Sequence, residues 1–229
     1  MSALAIGTLP FLVSYTLDVP GHQAASAILL MLLCLPYARE DAWVRGIGAI
    51  ALAYMAHCGV VIALAHADLQ HVIPLLPDAD AYWQKQILWI TTGYDPEYQW
   101  SAWVPAHLQL LGGTVLYTYT SLGAITFYEG FYEVDLMNFY IAQLLHHSQS
   151  QMLALTAGWH AWSLLRGVGY LFITFEVLSL SLQRLIGTPL SERHRRRRWV
   201  IGMSLVLADG LVKVMLLEPV REHLFTNLK

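Results

Sequence analysis

Apolar residues fall along the chain in long blocks separated by short polar breaks, and the block lengths predict helices that cross a bilayer. A spanning helix needs roughly 20 predominantly apolar residues to traverse a hydrocarbon core of about 30 Å. The first block covers residues 2–17 with Pro10 inside it, and a shorter second block covers 24–37; Asp18-Val19-Pro20-Gly21-His22 between them reads as a tight turn. A third block spans 46–67 with His57 near its centre, and a fourth spans 104–128. Two more runs lie between Trp162 and Pro219, separated by the turn Gly187-Thr188-Pro189 and the block Arg193-His194-Arg195-Arg196-Arg197-Arg198.

Charge placement orients this pattern. Lysine and arginine are retained in cytoplasmic loops, so five arginines within six residues put the loop 188–198 inside, and Arg39 and Arg45 put 38–45 on the same side. The stretch 68–103 holds a single basic residue, Lys85, against Asp68, Asp78, Asp80, Asp95 and Glu97, and is expected outside. Its Trp83, Trp89, Tyr94, Tyr98, Trp100 and Trp103 suit an interfacial aromatic belt, and 80–92 suits a short amphipathic helix on the membrane surface. With both basic loops inside, an odd number of crossings must separate the fourth block from Trp162. A polar-lined fifth span at 136–158 satisfies that parity and gives seven helices with the N-terminus inside and the C-terminus outside. The alternative is six helices, which leaves Arg39 and Arg45 outside.

Composition agrees with an all-α, polytopic transmembrane bundle forming a single membrane domain over residues 1–229. The chain is 56% hydrophobic and only 13% charged, against about 25% charged in soluble domains. Its net charge of −3 offers nothing to nucleic acid. Cys34 and Cys58 both lie in apolar runs and form no CxxC motif. The N-terminus lacks a basic leader and a small-residue cleavage site, so the first block is expected to stay as a membrane segment.

Against this apolar background the ionisable residues stand out. Glu176 and Asp209 each lie about ten residues from the arginine loop, or roughly 15 Å at 1.5 Å per residue, with Lys213 one turn beyond Asp209. Intramembrane ionisable groups cost a few kcal/mol each and usually face the bundle interior or a cavity. Glu176, Asp209 and Lys213 are therefore candidates for an ion or proton pathway. Glu133, Tyr140 and His147 recur at seven-residue spacing and could line a water file to that level. The bland alternative is that Asp209 and Lys213 neutralise each other and Glu176 bonds a hydroxyl, gluing helices together.

His57, His146 and His147 fall at a similar expected depth, and imidazole suits iron, copper or zinc, so a bis-histidine metal or haem site is a second reading. His22, His66, His71, His107 and His160 are expected at outer helix ends, where they form a second candidate cluster for such a site. The HExxH and CxxCH motifs are absent, as is the Glu-x-x-His pattern of ferritin-like di-iron bundles. The stretch Leu207-Ala208-Asp209-Gly210-Leu211-Val212-Lys213 resembles the D-x-x-x-K around the Schiff-base lysine of retinal proteins, and an inward N-terminus is similar to the inverted heliorhodopsins. That resemblance covers one short motif, and the third block lacks the carboxylate that usually serves as counterion.

Taken together, the residues predict a protein of the inner membrane of a prokaryote with a polar midplane site. Its expected role is the movement of ions, protons or a small solute, or service as a membrane subunit beside other subunits or copies of itself. The alternatives are an oxidoreductase or hydroxylase with histidine-ligated metal or haem, and a structural scaffold.

Overall fold

The computed structural model describes residues 1–94, 100–187 and 191–228. Expectations that rest on Asp95, Glu97, Tyr98 and the Trp100 side chain, or on Thr188 and Pro189 of the hairpin turn, lie outside the described residues. Ten α-helices make up the fold among the described residues: α1 Ala3–Leu17, α2 His22–Arg39, α3 Trp43–Ala67, α4 Leu69–Val72, α5 Ala79–Thr92, α6 Trp100–Ser121, α7 Ala124–His147, α8 Gln151–Gly158, α9 Ala161–Ile186 and α10 Glu192–Asn227. A 3-10 turn at Ile73–Leu75 joins α4 to the α5 region.

Local chemistry sets the boundaries. Ser2, Ser150 and Ser191 cap α1, α8 and α10, each side chain accepting a backbone N–H three residues on, which satisfies a donor the helix itself leaves unpaired. Leu122 and Gly123 both take positive φ, at 53° and 89°, a conformation in which a helix cannot continue. They divide what the hydropathy pattern reads as one span over 104–128, so α6 ends at Ser121 and α7 begins at Ala124. The expected polar span at 136–158 is correspondingly two helices: α7 carries its polar residues to His147, and α8 follows as a separate short element.

Cross-helix hydrogen bonds show which helix ends meet. Asp41, between α2 and α3, accepts from the Ser191 N–H at 3.3 Å, from His194 Nδ1 at 2.8 Å and from Arg198 at 2.6 Å, all at the start of α10. The C-terminal turn of α6 is held to α9, where Ser181 donates to the Tyr119 carbonyl at 3.3 Å and Arg184 to the Tyr119 hydroxyl. One end of the bundle thus gathers the arginine block with Arg39 and Arg45, and is here termed the basic end. At the opposite end Arg221 of α10 donates to the Ile90 carbonyl of α5 at 3.2 Å, and the Gln149 N–H to the Asn227 carbonyl at 2.7 Å.

Among the described residues three helices, α3, α9 and α10, are long and apolar enough to cross a membrane. Large apolar side chains point outward around the bundle, among them Leu9 and Val13 of α1, Met55 of α3, Leu108 of α6 and Leu211 and Met215 of α10, as expected for a surface solvated by hydrocarbon. The interior holds two main apolar clusters. One surrounds Ile6, Leu30, Ile50 and Phe175 toward the basic end, and the other surrounds Trp83, Phe139, Ile141 and Trp162 toward the opposite end. Along α7, Phe131 belongs to the first and Leu136 to the second, so Asp135 falls at their junction.

Close helix contact depends on small residues. A Cβ on Gly7 of α1 would lie 2.1 Å from the Ala53 carbonyl oxygen of α3, and Gly169 of α9 faces Gly202 of α10 with a Cβ-to-carbonyl distance of 2.9 Å. Such contacts bring backbones together where lipid supplies no hydrophobic drive between helices.

Candidate functional site

Near the middle of α7 a single carboxylate collects donors from two other helices. Asp135, 1% exposed, takes His57 Nε2 of α3 on Oδ1 at 2.6 Å, and His22 Nε2 and Gln23 Nε2 of α2 on Oδ2, both at 2.8 Å. His22 and His57 are themselves buried, and their rings stack with centroids 5.6 Å apart. Phe11 of α1 makes T-shaped contacts with both imidazoles, at centroid distances of 4.7 Å and 5.7 Å, and Phe131 packs against His57 at 5.0 Å. The outcome is a polar cluster enclosed by aromatic rings.

The tautomer of His57 follows from its partners. Its Nδ1 lies 3.1 Å from the Gly7 carbonyl oxygen, and a carbonyl only accepts, so Nδ1 carries a proton and Nε2 is the atom turned to Asp135. With Nδ1–H committed to Gly7, the 2.6 Å approach of Nε2 to Oδ1 is a hydrogen-bond distance that calls for a proton between the two atoms. Gly7 can supply that carbonyl because, lacking a side chain, it lets α1 touch α3. His22 has Nε2 on the carboxylate, while its buried Nδ1 has no hydrogen-bond partner among the described residues. One ligand atom each from His22, His57 and Asp135 fall within 4.8 Å of one another, a set that could hold a metal ion.

A second buried carboxylate, Asp209 of α10, meets His107 of α6. Asp209 Oδ2 lies 2.9 Å from His107 Nε2, whose other ring nitrogen is 2.9 Å from the Trp103 carbonyl. Arg166 of α9 approaches both, at 3.1 Å from His107 Nε2 and 4.0 Å from Asp209. Asp209 Oδ1 has no hydrogen-bond partner among the described residues.

The third centre belongs to arginine. Glu176 of α9 is fully buried and is gripped by Arg198 Nε at 2.6 Å and Arg195 Nε at 3.2 Å, and Arg198, also fully buried, bonds Asp41 as well. Arg198 lies over the Phe175 ring and Arg197 over Trp43. Burial pushes the Asp41 carboxyl up, but hydrogen bonds from Arg198 and His194 outweigh this and hold it below the ordinary aspartate range. The arginine block is therefore the first turns of α10, with one member inside the protein, rather than a solvated loop.

The sequence-derived candidates separate in space. Glu176 and Asp209 take different partners, the arginines and His107 respectively, and belong to different centres. Lys213 is buried four residues beyond Asp209. Tyr140 is buried with its hydroxyl 3.4 Å from His160 Nε2, Glu133 is exposed, and His147 stacks on Trp83 at 5.6 Å. His57 does not meet His146 or His147: it lies beside Asp135, while His146, eleven residues along α7 and roughly 16 Å away, packs against His66 with centroids 4.6 Å apart.

Sequence reasoning placed His22 in a turn and grouped it with an outer histidine cluster rather than with His57, and left Asp135 among the general polarity of its segment. The available signal was local: Asp135 stands between Val134 and Leu136-Met137, an acid with apolar neighbours on both sides. No protein-family model, curated protein or solved structure matches the chain. What fold and composition define is a class: among the described residues the protein is all-helical with three candidate transmembrane helices, consistent with an integral membrane protein.

Proposed function

We propose that the chain is a seven-span membrane protein that binds a cation at Asp135 and moves it across the bilayer. The single observation that carries this reading is the enclosure of Asp135, a carboxylate 1% exposed whose partners are imidazoles and an amide rather than a permanent cation. A buried carboxylate costs several kcal/mol unless compensated, and a membrane interior retains such a group where it serves an ion pathway. Asp209 with His107 is a second station toward the opposite side of the bundle.

Seven spans are supported by the alternating helix directions: α2, α6 and α9 approach the basic end, and α3, α7 and α10 leave it, with α1 as the seventh crossing. The arginines of the basic end assign it to the cytoplasm, with α4, α5 and α8 on the outer side.

The test is flux in proteoliposomes. Wild-type protein and Asp135→Asn are compared with interior dyes for protons, for sodium and potassium, and for divalent cations. Wild-type flux of one of these ions that falls about tenfold or more in Asp135→Asn, with Glu133→Gln unaffected, is the expected result. Traces from wild-type vesicles that match empty vesicles for every dye would overturn the proposal.

A further inference from the structure

We infer that the cation held at Asp135 is a divalent first-row transition metal, bound by the Nε2 atoms of His22 and His57 and the Asp135 carboxylate. The inference rests on the reading of Asp135 as the cation site and names the class of cation. Sodium, potassium, magnesium and calcium select oxygen donors, whereas two imidazoles and a carboxylate suit zinc, iron, cobalt or nickel. The three ligand atoms already lie within 4.8 Å of one another. Metal–nitrogen and metal–oxygen bonds of about 2.0–2.2 Å place the donors of a tetrahedral ion roughly 3.3 Å apart. The present nitrogen–oxygen separations, 2.6 Å from His57 to Oδ1 and 2.8 Å from His22 to Oδ2, have to open by about 0.5–0.7 Å to admit one.

The surroundings are arranged as a metal's outer shell would be. A ligating histidine commonly donates its second ring N–H to a backbone carbonyl, which fixes the tautomer and aims the free nitrogen at the ion. His57 does this through Gly7, and Gln23 donates to Oδ2 of the carboxylate, the oxygen that His22 also meets. Three protein ligands leave one position of a tetrahedral ion open, as an ion that arrives and departs requires. The three ligands come from α2, α3 and α7, so helix movement could loosen the site. Further along α3 and α7, His66 and His146 bring a second pair of imidazoles together, and His66 Nδ1 is buried with no hydrogen-bond partner among the described residues. The same donor type thus recurs along one helix seam.

The experiment uses full-length protein in mild detergent, stripped with a chelator and titrated with cobalt(II), following ligand-field absorption in the visible and competition by zinc(II). One ion per chain with tetrahedral-type bands is expected. Asp135→Asn and His57→Ala should weaken binding by more than about 100-fold, and Gln23→Ala by about 10–100-fold, as for an outer-shell partner. Glu176→Gln should leave affinity unchanged. Wild-type protein that takes up no more cobalt than Asp135→Asn would overturn the inference, and this comparison stands even if His57→Ala fails to fold. The two proposals fail separately. Asp135-dependent proton or sodium flux without cobalt binding removes the metal and leaves cation movement, whereas tight cobalt binding with no flux of any ion removes movement and leaves the metal site.

Discussion

Two buried carboxylates in this bundle, Glu176 and Asp135, are compensated in opposite ways. Glu176 is met by Arg195 and Arg198, whose guanidinium groups remain charged at any accessible pH. Asp135 is met by two imidazoles and an amide. The first arrangement is closed: acid and base neutralise each other permanently, the planar guanidinium is further shared with Asp41, and no ligand is required. The second is open, because an imidazole nitrogen can hold a proton, give it up or bind a metal ion. Burial alone, then, does not mark a site. The chemistry of the partner separates a structural ion pair from a centre able to exchange what it holds.

The largest expected effect tests the closed half. Arg198→Ala leaves Glu176 without its closest partner in a low-dielectric interior, a change that costs about 3–5 kcal/mol when one member of a buried pair is removed. The thermal transition of the detergent-solubilised protein should fall sharply, and Glu176→Gln combined with Arg198→Met should recover part of the loss. A near-wild-type transition for Arg198→Ala would mean that water reaches Glu176, and the contrast with Asp135 would collapse.

A smaller effect sharpens the open half. Gly7→Ala places a methyl 2.1 Å from the Ala53 carbonyl oxygen, so α1 must shift from α3. Overpacking of this kind costs about 1–3 kcal/mol. The same shift carries the Gly7 carbonyl away from His57 Nδ1, so cobalt affinity should fall together with stability. Gly169→Ala, which loosens α9 from α10 remote from Asp135, should lower stability and spare affinity. Equal effects of both substitutions on cobalt binding would show that Gly7 acts on the bundle at large.

How much of this was legible in the sequence depends on the range of the interaction. The apolar blocks, the basic end and the amphipathic helix α5 follow from local patterns, and the helix class follows with them. The boundary at Leu122-Gly123 was carried by one glycine inside an apolar stretch, and hydropathy averaged across it. The arginine block invited a reading as a loop because four of its five arginines, Arg193 and Arg195 to Arg197, reach at least partly outward. Arg198, on the second turn of α10, is instead buried against Glu176 and Asp41, which lie 22 and 157 residues away along the chain.

The Asp135 centre was hidden for the same reason of range. Asp135 is separated from His22 by 113 residues of chain and from His57 by 78, and no local spacing pairs them. His57 was recognisable as a polar residue inside an apolar helix, whereas His22 opens α2 beside Gly21 and looked like part of a turn.

The smallest expected effect concerns Asp41, which ties the basic end together without lying in its interior. Its carboxyl is 13% exposed and accepts from Arg198, His194 and the Ser191 N–H. Burial pushes its pKa up, but the bonds from Arg198 and His194 prevail and hold it below the ordinary value. The unfolded chain therefore binds a proton at Asp41 more readily than the folded one, and stability rises with pH through that window. The contribution is fully present above the ordinary aspartate pKa of about 3.9 and is lost as the pH falls through the lower folded value. Wild type should accordingly melt above Asp41→Asn at about pH 6, and the gap between them should narrow steadily below about pH 4. Comparing the two proteins at each pH cancels the titration of other carboxylates. A gap that stays constant from about pH 6 to about pH 3 would show that Asp41 contributes by shape and hydrogen bonding alone, leaving Glu176 with its arginines as the charged lock at this end.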